Sequence, residues 1–472
     1  MQWQRTILPE EEKPSPPSWW FYPIVLIVSF ILFGLFTCLI NDNLSLLNDK
    51  ILIFSFLLPG FTFGLGVIAF VIHLFVTKLD EYFYRSAFIE HKKREWQSWG
   101  RLSIPVLAYA QYTPVENITD KILGISGRLP LNPNAVMKLN EVPANSFSQY
   151  SLSFVFNKLI EPMVENIKPI QHQLKIHVYS SESVEMTRAS LQQTFEWFRL
   201  SGVVKENIHY LDDVPSFETV YTLREDDPSY NHLAIMVSLH NDSESKNTES
   251  AVSLLFGSTL NKTKSDIYFF RPIKIEKSQI DQGVEVFLEV EQIKGNEAIH
   301  LWMVNVDDAS SHSFTKLVGN STHNYTISGI HSMNSCFGKV SAIYAWNSIV
   351  CAAEAIKAKN QNSLITLQQD NHIESVQVAR SPGETLFASV YEMSLIHSYY
   401  LMGVMMFSLA AVSFISTYGG VENFLPWLVG GVFLLFIFST ISVIFHHTQF
   451  RKTCQREWDF AQRSNELYPN DW

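Results

Sequence analysis

The chain has 472 residues, 47% hydrophobic and 17% charged, with 35 Lys and Arg against 46 Asp and Glu, a formal net charge of −11. Residues 102–395 hold 22 of the basic and 32 of the acidic side chains, a balance that disfavours nucleic acid or anionic lipid as a partner of that surface and leaves proteins or small molecules. The four cysteines include Cys38 in an apolar run and Cys351 in an apolar helix, so no disulfide framework is implied.

Residues 1–18 read as a leader that carries Glu10, Glu11 and Glu12 and then the extended linker Lys13-Pro14-Ser15-Pro16-Pro17-Ser18. Trp19 to Ile40 and Ile51 to Thr77 are each long enough to cross roughly 30 Å of hydrocarbon at about 1.5 Å per residue, and residues 19–77 are expected to form a first transmembrane hairpin. The acidic leader and the second span directly after the first argue against a cleaved signal peptide. Trp19, Trp20, Phe21 and Tyr22 supply an interfacial aromatic belt. Pro59-Gly60, Gly64 and Gly66 allow a neighbouring helix to approach closely.

Residues 78–101 are basic, aromatic and helix-compatible, with Arg85, Lys92, Lys93, Arg94, Trp96 and Trp99 as the candidate membrane- or partner-docking side chains. A plain stalk continuing the second span, its basic residues serving topology, is the other reading.

The soluble stretch over residues 102–395 alternates strand-like and helical runs. Strands are expected at Ser103 to Tyr109, Leu174 to Tyr179, Ile208 to Leu211, Leu233 to Leu239, Ile267 to Phe270 and Ile299 to Val306. Helices are expected at Tyr150 to Ile167, Ser183 to Leu200, Ser216 to Leu223, Glu249 to Phe256 and Glu276 to Gln292. The class is α/β with a mostly parallel sheet. Lys339 to Lys359 is apolar around nearly its whole circumference, so it must be buried on all sides, as an inner helix sandwiched between two sheets. Ser363 to Gln368 and Ser375 to Ala379 then close a hairpin around Asp370-Asn371.

Tyr399 to Thr417 and Phe424 to His446 give a second transmembrane hairpin over residues 396–447, for four transmembrane helices in one bundle, followed by the tail 448–472. Lys78, Arg85, Lys92, Lys93, Arg94 and Arg101 follow the second span, and Arg451, Lys452 and Arg456 follow the fourth, whereas the two short loops hold one basic residue between them. That asymmetry predicts that both termini and the large domain are cytoplasmic.

No metal, nucleotide or cofactor signature is present, and no cofactor is expected. The histidines lack ligand spacing, and Asp212-Asp213 and Asp307-Asp308 lack a phosphate loop beside them. Cys336 precedes a helix, where the dipole favours a thiolate, although the ordinary outcome is a buried inert thiol.

From Ala298 to Leu367 the order runs strand, acidic turn, helix, strand, the Gly-containing turn His331 to Gly338, buried Ala-rich helix, hairpin. This resembles the second half of a thiolase-like, β-ketoacyl-synthase-type domain. His232 to Val237 followed by Glu249 to Leu255 is similar to the strand and closing elements of its first half, and the resemblance implies a layered thiolase-like fold. Enzymes of that family place a nucleophilic Cys at the start of a buried helix in the first half and two polar partners, usually His, in the second. No cysteine lies between Cys38 and Cys336, so the resemblance implies a degenerate domain with no catalytic set, His331 being the one remnant candidate. Two hairpins around such a domain, with the segment Lys92-Lys93-Arg94-Glu95-Trp96-Gln97-Ser98-Trp99, resemble inner-membrane proteins of Gram-negative bacteria associated with type VI secretion. That likeness implies a non-enzymatic, protein-binding role as effector adapter or immunity protein. The alternative is an acyl-chain-binding sensor or enzyme on the same fold.

Overall fold

The structure, a computed structural model, describes residues 3, 6, 8–9, 11–40, 52–128, 131–132, 135–139, 148–240, 247–258, 264–293, 297–320, 325–383, 403–412 and 425–467. They fall into two compact units: Thr6–Arg94 with Phe387–Trp472, and Met1–Arg5 with Glu95–Leu386.

In the helical unit, α1 (Phe21–Ile40) and the first part of α2 (Leu58–Gly100) are long and apolar enough to cross a membrane. A π-helix at Leu52–Leu57 runs directly into α2, and Pro59 follows that junction. A Cβ on Gly64 would lie 2.8 Å from Leu26 of α1, and one on Gly66 would lie 3.3 Å from the Phe407 ring, so these glycines admit close neighbours. Ser29, Thr37 and Thr62 return their hydroxyls to carbonyls four residues back, which satisfies each donor within its own helix. Four spans are more than the structure establishes. Of the expected third span only the short apolar helix Gly403–Val412 lies within the described residues, and the expected fourth falls in a helix at Leu425–Leu467.

The other unit holds eleven strands in one mixed sheet, ordered β3-β2-β4-β5-β1-β6-β11-β10-β8-β9 with β7 on β11. In the first half β1 is Ser103–Tyr112, β2 Leu174–Ser180, β3 Ile208–Leu211, β4 Asn231–Ser238 and β5 Ser250–Phe256. In the second, β6 is Tyr268–Phe270, β7 Ile273–Glu276, β8 Ala298–Val304, β9 Thr326–Ser332, β10 Asn362–Gln369 and β11 His372–Ala379. The halves repeat one plan: β2 pairs in parallel with β3 and β4 as β8 does with β9 and β10. β5 lies antiparallel to β4 and β1 as β11 does to β10 and β6. β1 and β6 join the halves antiparallel, Ile104 opposite Phe269. The expected mostly parallel sheet is therefore corrected to a mixed one.

The helices repeat as well. α3 (Ser148–Ile160), α4 (Val184–Trp197) and α5 (Phe217–Asp226) of the first half correspond in chain order to α6 (Ile280–Glu289), α7 (Asp308–Gly319) and α8 (Ile343–Lys359) of the second. α3 and α4 cover the outer face of the first half, where Leu233, Ile235 and Val237 meet Leu152, Phe156 and Leu191. α6 and α7 do the same over Ile299, Leu301 and Met303 with Val284, Phe287 and Phe314. The inner faces share one core with α5 and α8 between them, and thirteen of the seventeen α8 residues are buried, as its all-round apolar surface requires.

Two local expectations fail. Glu249 to Phe256 is not helical: Ser250–Phe256 is strand β5, buried at every residue. A strand covered on both faces shows a continuous apolar run, which periodicity alone does not separate from a buried helix. The helix expected at Glu276 to Gln292 is shorter, and β7 precedes it.

Candidate functional site

The resemblance implies a nucleophile at the start of a first-half buried helix, and α5 is the inner helix of that half. Ser216 caps it, its hydroxyl oxygen accepting the Thr219 N–H at 3.1 Å and lying 2.8 Å from the Thr219 hydroxyl. The first helical residue is Phe217, 1% exposed, its ring 5.1 Å from Trp346 on α8 and 6.0 Å from Phe269 on β6. Trp346 donates its indole N–H to the Pro215 carbonyl at 3.0 Å. The Phe217 N–H, free at a helix start, donates to the buried Glu374 carboxylate of β11 at 3.2 Å. Burial pushes the Glu374 carboxyl up. An aromatic cluster and an internal carboxylate thus fill the helix start.

Neither buried thiol of the α/β unit is activated. Cys336 lies within the short helix Met333–Phe337, and burial pushes it up to about 11, the inert outcome. Cys351 of α8 is pushed up to about 12, by burial and then by the Glu354 charge.

His331 is on β9, not in a turn. Its Nε2 lies 3.0 Å from Nδ1 of His300, and its ring centroid 4.6 Å from that of Trp302. Burial, then the charges of His300 and Lys359, lowers it to about 4, so it is neutral at pH 7.

A second imidazole group escaped sequence reasoning. His177 of β2 stands opposite His209 of β3 in the register, ring centroids 5.3 Å apart, and its Nε2 lies 3.1 Å from Nδ1 of His232 on β4. The halves place the two groups at equivalent positions, since Trp302 stands opposite His331 as His177 stands opposite His209. His232 Nε2 faces the Asp227 carbonyl at 3.4 Å, which only accepts, so His232 Nδ1 is the acceptor and His177 Nε2 is assigned as its donor. Burial, then the charges of His232, His209 and Lys175, lowers His177 to about 3. Repetition in both halves marks these rings as parts of the fold. Among the described residues no group of three or more His, Cys, Asp or Glu is arranged to hold a metal ion.

Of the turn acids, Asp307 serves structure. Asp307 caps α7 through the Ser310 N–H at 3.0 Å and pairs with Lys277 at 2.6 Å, contacts that hold its carboxyl below the usual range, the Lys277 bond first.

Of the candidate docking residues, Arg85, Lys92, Arg94 and Trp99 have partners within their own units. Arg85, with its side chain 11% exposed, pairs with Glu11 at 2.8 Å and Glu457 at 2.9 Å. Lys92 lies over the Phe88 and Trp458 rings at 5.8 and 6.0 Å, Arg94 pairs with Glu90, and Lys93 has interactions of its own. Trp96 is 6% exposed. Trp99 has the Arg271 guanidinium 4.1 Å from its ring centroid.

No protein-family model matches the sequence. No curated protein matches it either. Solved structures do. A type II polyketide synthase acyl-carrier protein in complex with its ketosynthase matches over 60% of this chain and 100% of its own, with 9% identity and a TM-score of 0.43. The 3-oxoacyl-[acyl-carrier-protein] synthase III of Aquifex aeolicus matches over 58% and 99%, with 11% identity and a TM-score of 0.37. A monomeric SCP2-thiolase-like protein of Mycobacterium smegmatis matches over 61% and 79%, with 8% identity and a TM-score of 0.37.

Proposed function

We propose that this chain is a multi-pass, membrane-tethered protein whose cytoplasmic α/β unit works by binding a protein partner and performs no condensing chemistry. One observation carries the reading: Phe217, Trp346 and Glu374 occupy the start of α5, where the resembled enzymes place a cysteine. The raised Cys336 and Cys351 support it. Tethering rests on α1 and α2 and on the apolar run at the head of the Leu425–Leu467 helix, and the cytoplasmic side on the Lys and Arg after the second and fourth spans. The setting is the one the resemblance implies, type VI secretion in a bacterial inner membrane, as effector adapter or immunity protein.

The test is a deletion strain with active type VI secretion, scored for killing of rivals and for survival of attack by sister cells, with pull-down of the tagged protein from native membranes. Loss of either phenotype with capture of a secretion component supports the proposal. Unchanged killing and survival contradict the setting. Native mass spectrometry that finds a bound acyl chain, lost on displacement by acyl-CoA, replaces this reading with that of an acyl-chain sensor or enzyme.

A further inference from the structure

The first five residues belong to the α/β unit, whereas Thr6–Arg94 belong to the helical one. Trp3 is the described residue among them, and its side chain is held on three sides. Trp3 donates its indole N–H to the Pro272 carbonyl at 2.7 Å, an acceptor 269 positions away. Its ring lies 5.5 Å from Trp99, edge-on at 67°, and 5.8 Å from Phe287. Phe287 is 1% exposed and belongs to the second-half outer core, so it forms a fixed floor. Trp99 is a fixed wall, with the Arg271 guanidinium against its ring and the Arg271 Nε–H donated to its carbonyl.

The surrounding frame stands without Trp3. Gln97 donates to the Glu289 carbonyl at 3.0 Å, Arg101 to the Val290 carbonyl at 2.6 Å, and Gln292 to the Gly100 carbonyl at 2.7 Å. These bonds fix the end of α2 against the end of α6 whether or not an indole is present. Floor, wall and acceptor therefore form a preformed cleft with one aromatic anchor and one donor-selective contact, the composition of an interface hot spot.

We infer that Trp3 is a cis-acting latch, an intramolecular ligand whose indole fills an aromatic cleft of Trp99, Phe287 and the Pro272 carbonyl, and that the vacated cleft binds a free Trp-bearing peptide segment. In the intact chain the tethered segment competes at a high effective concentration and keeps the cleft closed to such a peptide.

The probe is the synthetic hexapeptide Met-Gln-Trp-Gln-Arg-Thr with a fluorescent label at its C-terminus, titrated by anisotropy into the full-length protein in detergent micelles. Trp3→Ala protein is expected to bind it saturably and the unaltered protein at least tenfold more weakly. A Phe-for-Trp peptide is expected to bind Trp3→Ala protein about fivefold to tenfold less well, because it keeps the ring and loses the hydrogen bond. An Ala-for-Trp peptide is expected not to bind. The inference fails if Trp3→Ala protein binds no peptide, binds it no better than the unaltered protein, or binds the Ala peptide equally. Should Trp3→Ala misfold, hydrogen exchange at the Trp3 indole of the unaltered protein decides. At least tenfold slowing relative to the free peptide supports the latch, and exchange at the free-peptide rate overturns it.

Discussion

His177 should make this protein acid-sensitive by a definite amount. Folded, its imidazole is held at about 3; unfolded, it returns to about 6.5. Between those values the unfolded chain binds a proton that the folded chain excludes. Stability is therefore intact above pH 6.5, falls as pH drops through the window and levels off near pH 3. At pH 5 the unfolded group lies 1.5 units above ambient pH, which at 1.36 kcal/mol per unit makes the loss about 2 kcal/mol. The cleanest perturbation is His177→Phe, since Trp302 shows that an aromatic ring fits the equivalent place in the second half. Guanidinium unfolding of the full-length protein in detergent micelles, followed by tryptophan fluorescence at pH 7.5 and 5.0, measures the effect. Carboxylates and distant histidines titrate in both proteins and cancel, so the double difference reads His177 together with its coupling to His209 and His232. The pH-dependent loss should be about 2 kcal/mol larger with His177 than with Phe. A double difference under about 0.5 kcal/mol would refute the claim that burial keeps this ring neutral.

The inner layer should be costly to hollow out: Trp346→Ala removes a side chain that is 1% exposed and should lower stability by about 3–5 kcal/mol in the same unfolding experiment. Cys336 should react slowly with a thiol reagent at pH 8. With its pKa at about 11 against the ordinary 9.0, the native thiolate fraction is about a hundredfold below the unfolded one, read by comparing labelling rates before and after denaturation. In the helical unit, Gly64→Leu places side-chain atoms where Leu26 and Ser29 already stand and should lower thermal stability in micelles by about 1–3 kcal/mol of overpacking, whereas Gly64→Ala should cost less.

Elements with strong local signals were legible in the sequence. The α8 helix was visible because residues apolar on every side have one stable solution, and the β10–β11 hairpin because Asp370-Asn371 marks a turn, Asp370 having φ +48°. Strand direction was not legible, since parallel and antiparallel strands buried on both faces share one composition, and the sheet was misjudged on that account. β5 was misread for the same reason: its seven buried residues carry no alternation. At the candidate site, the missing cysteine could be read directly, whereas Glu374 beneath Phe217 could not, because the two are 157 positions apart. The His177, His209 and His232 group has no sequence spacing to betray it and exists only through the registers of β2 with β3 and β4. The pairing of Arg85 with Glu11 and Glu457 was not legible either, because it joins segments from both ends of the chain.

The proposal that the α/β unit binds and does not condense rests on Phe217, Trp346 and Glu374 filling the start of α5. Intact-mass analysis of the full-length protein after incubation with a long-chain acyl-CoA at pH 7.5 tests it most directly. The account predicts an unchanged mass and no release of free CoA above the buffer rate. A stoichiometric acyl adduct mapped to Cys336, Cys351 or Ser216 would contradict it.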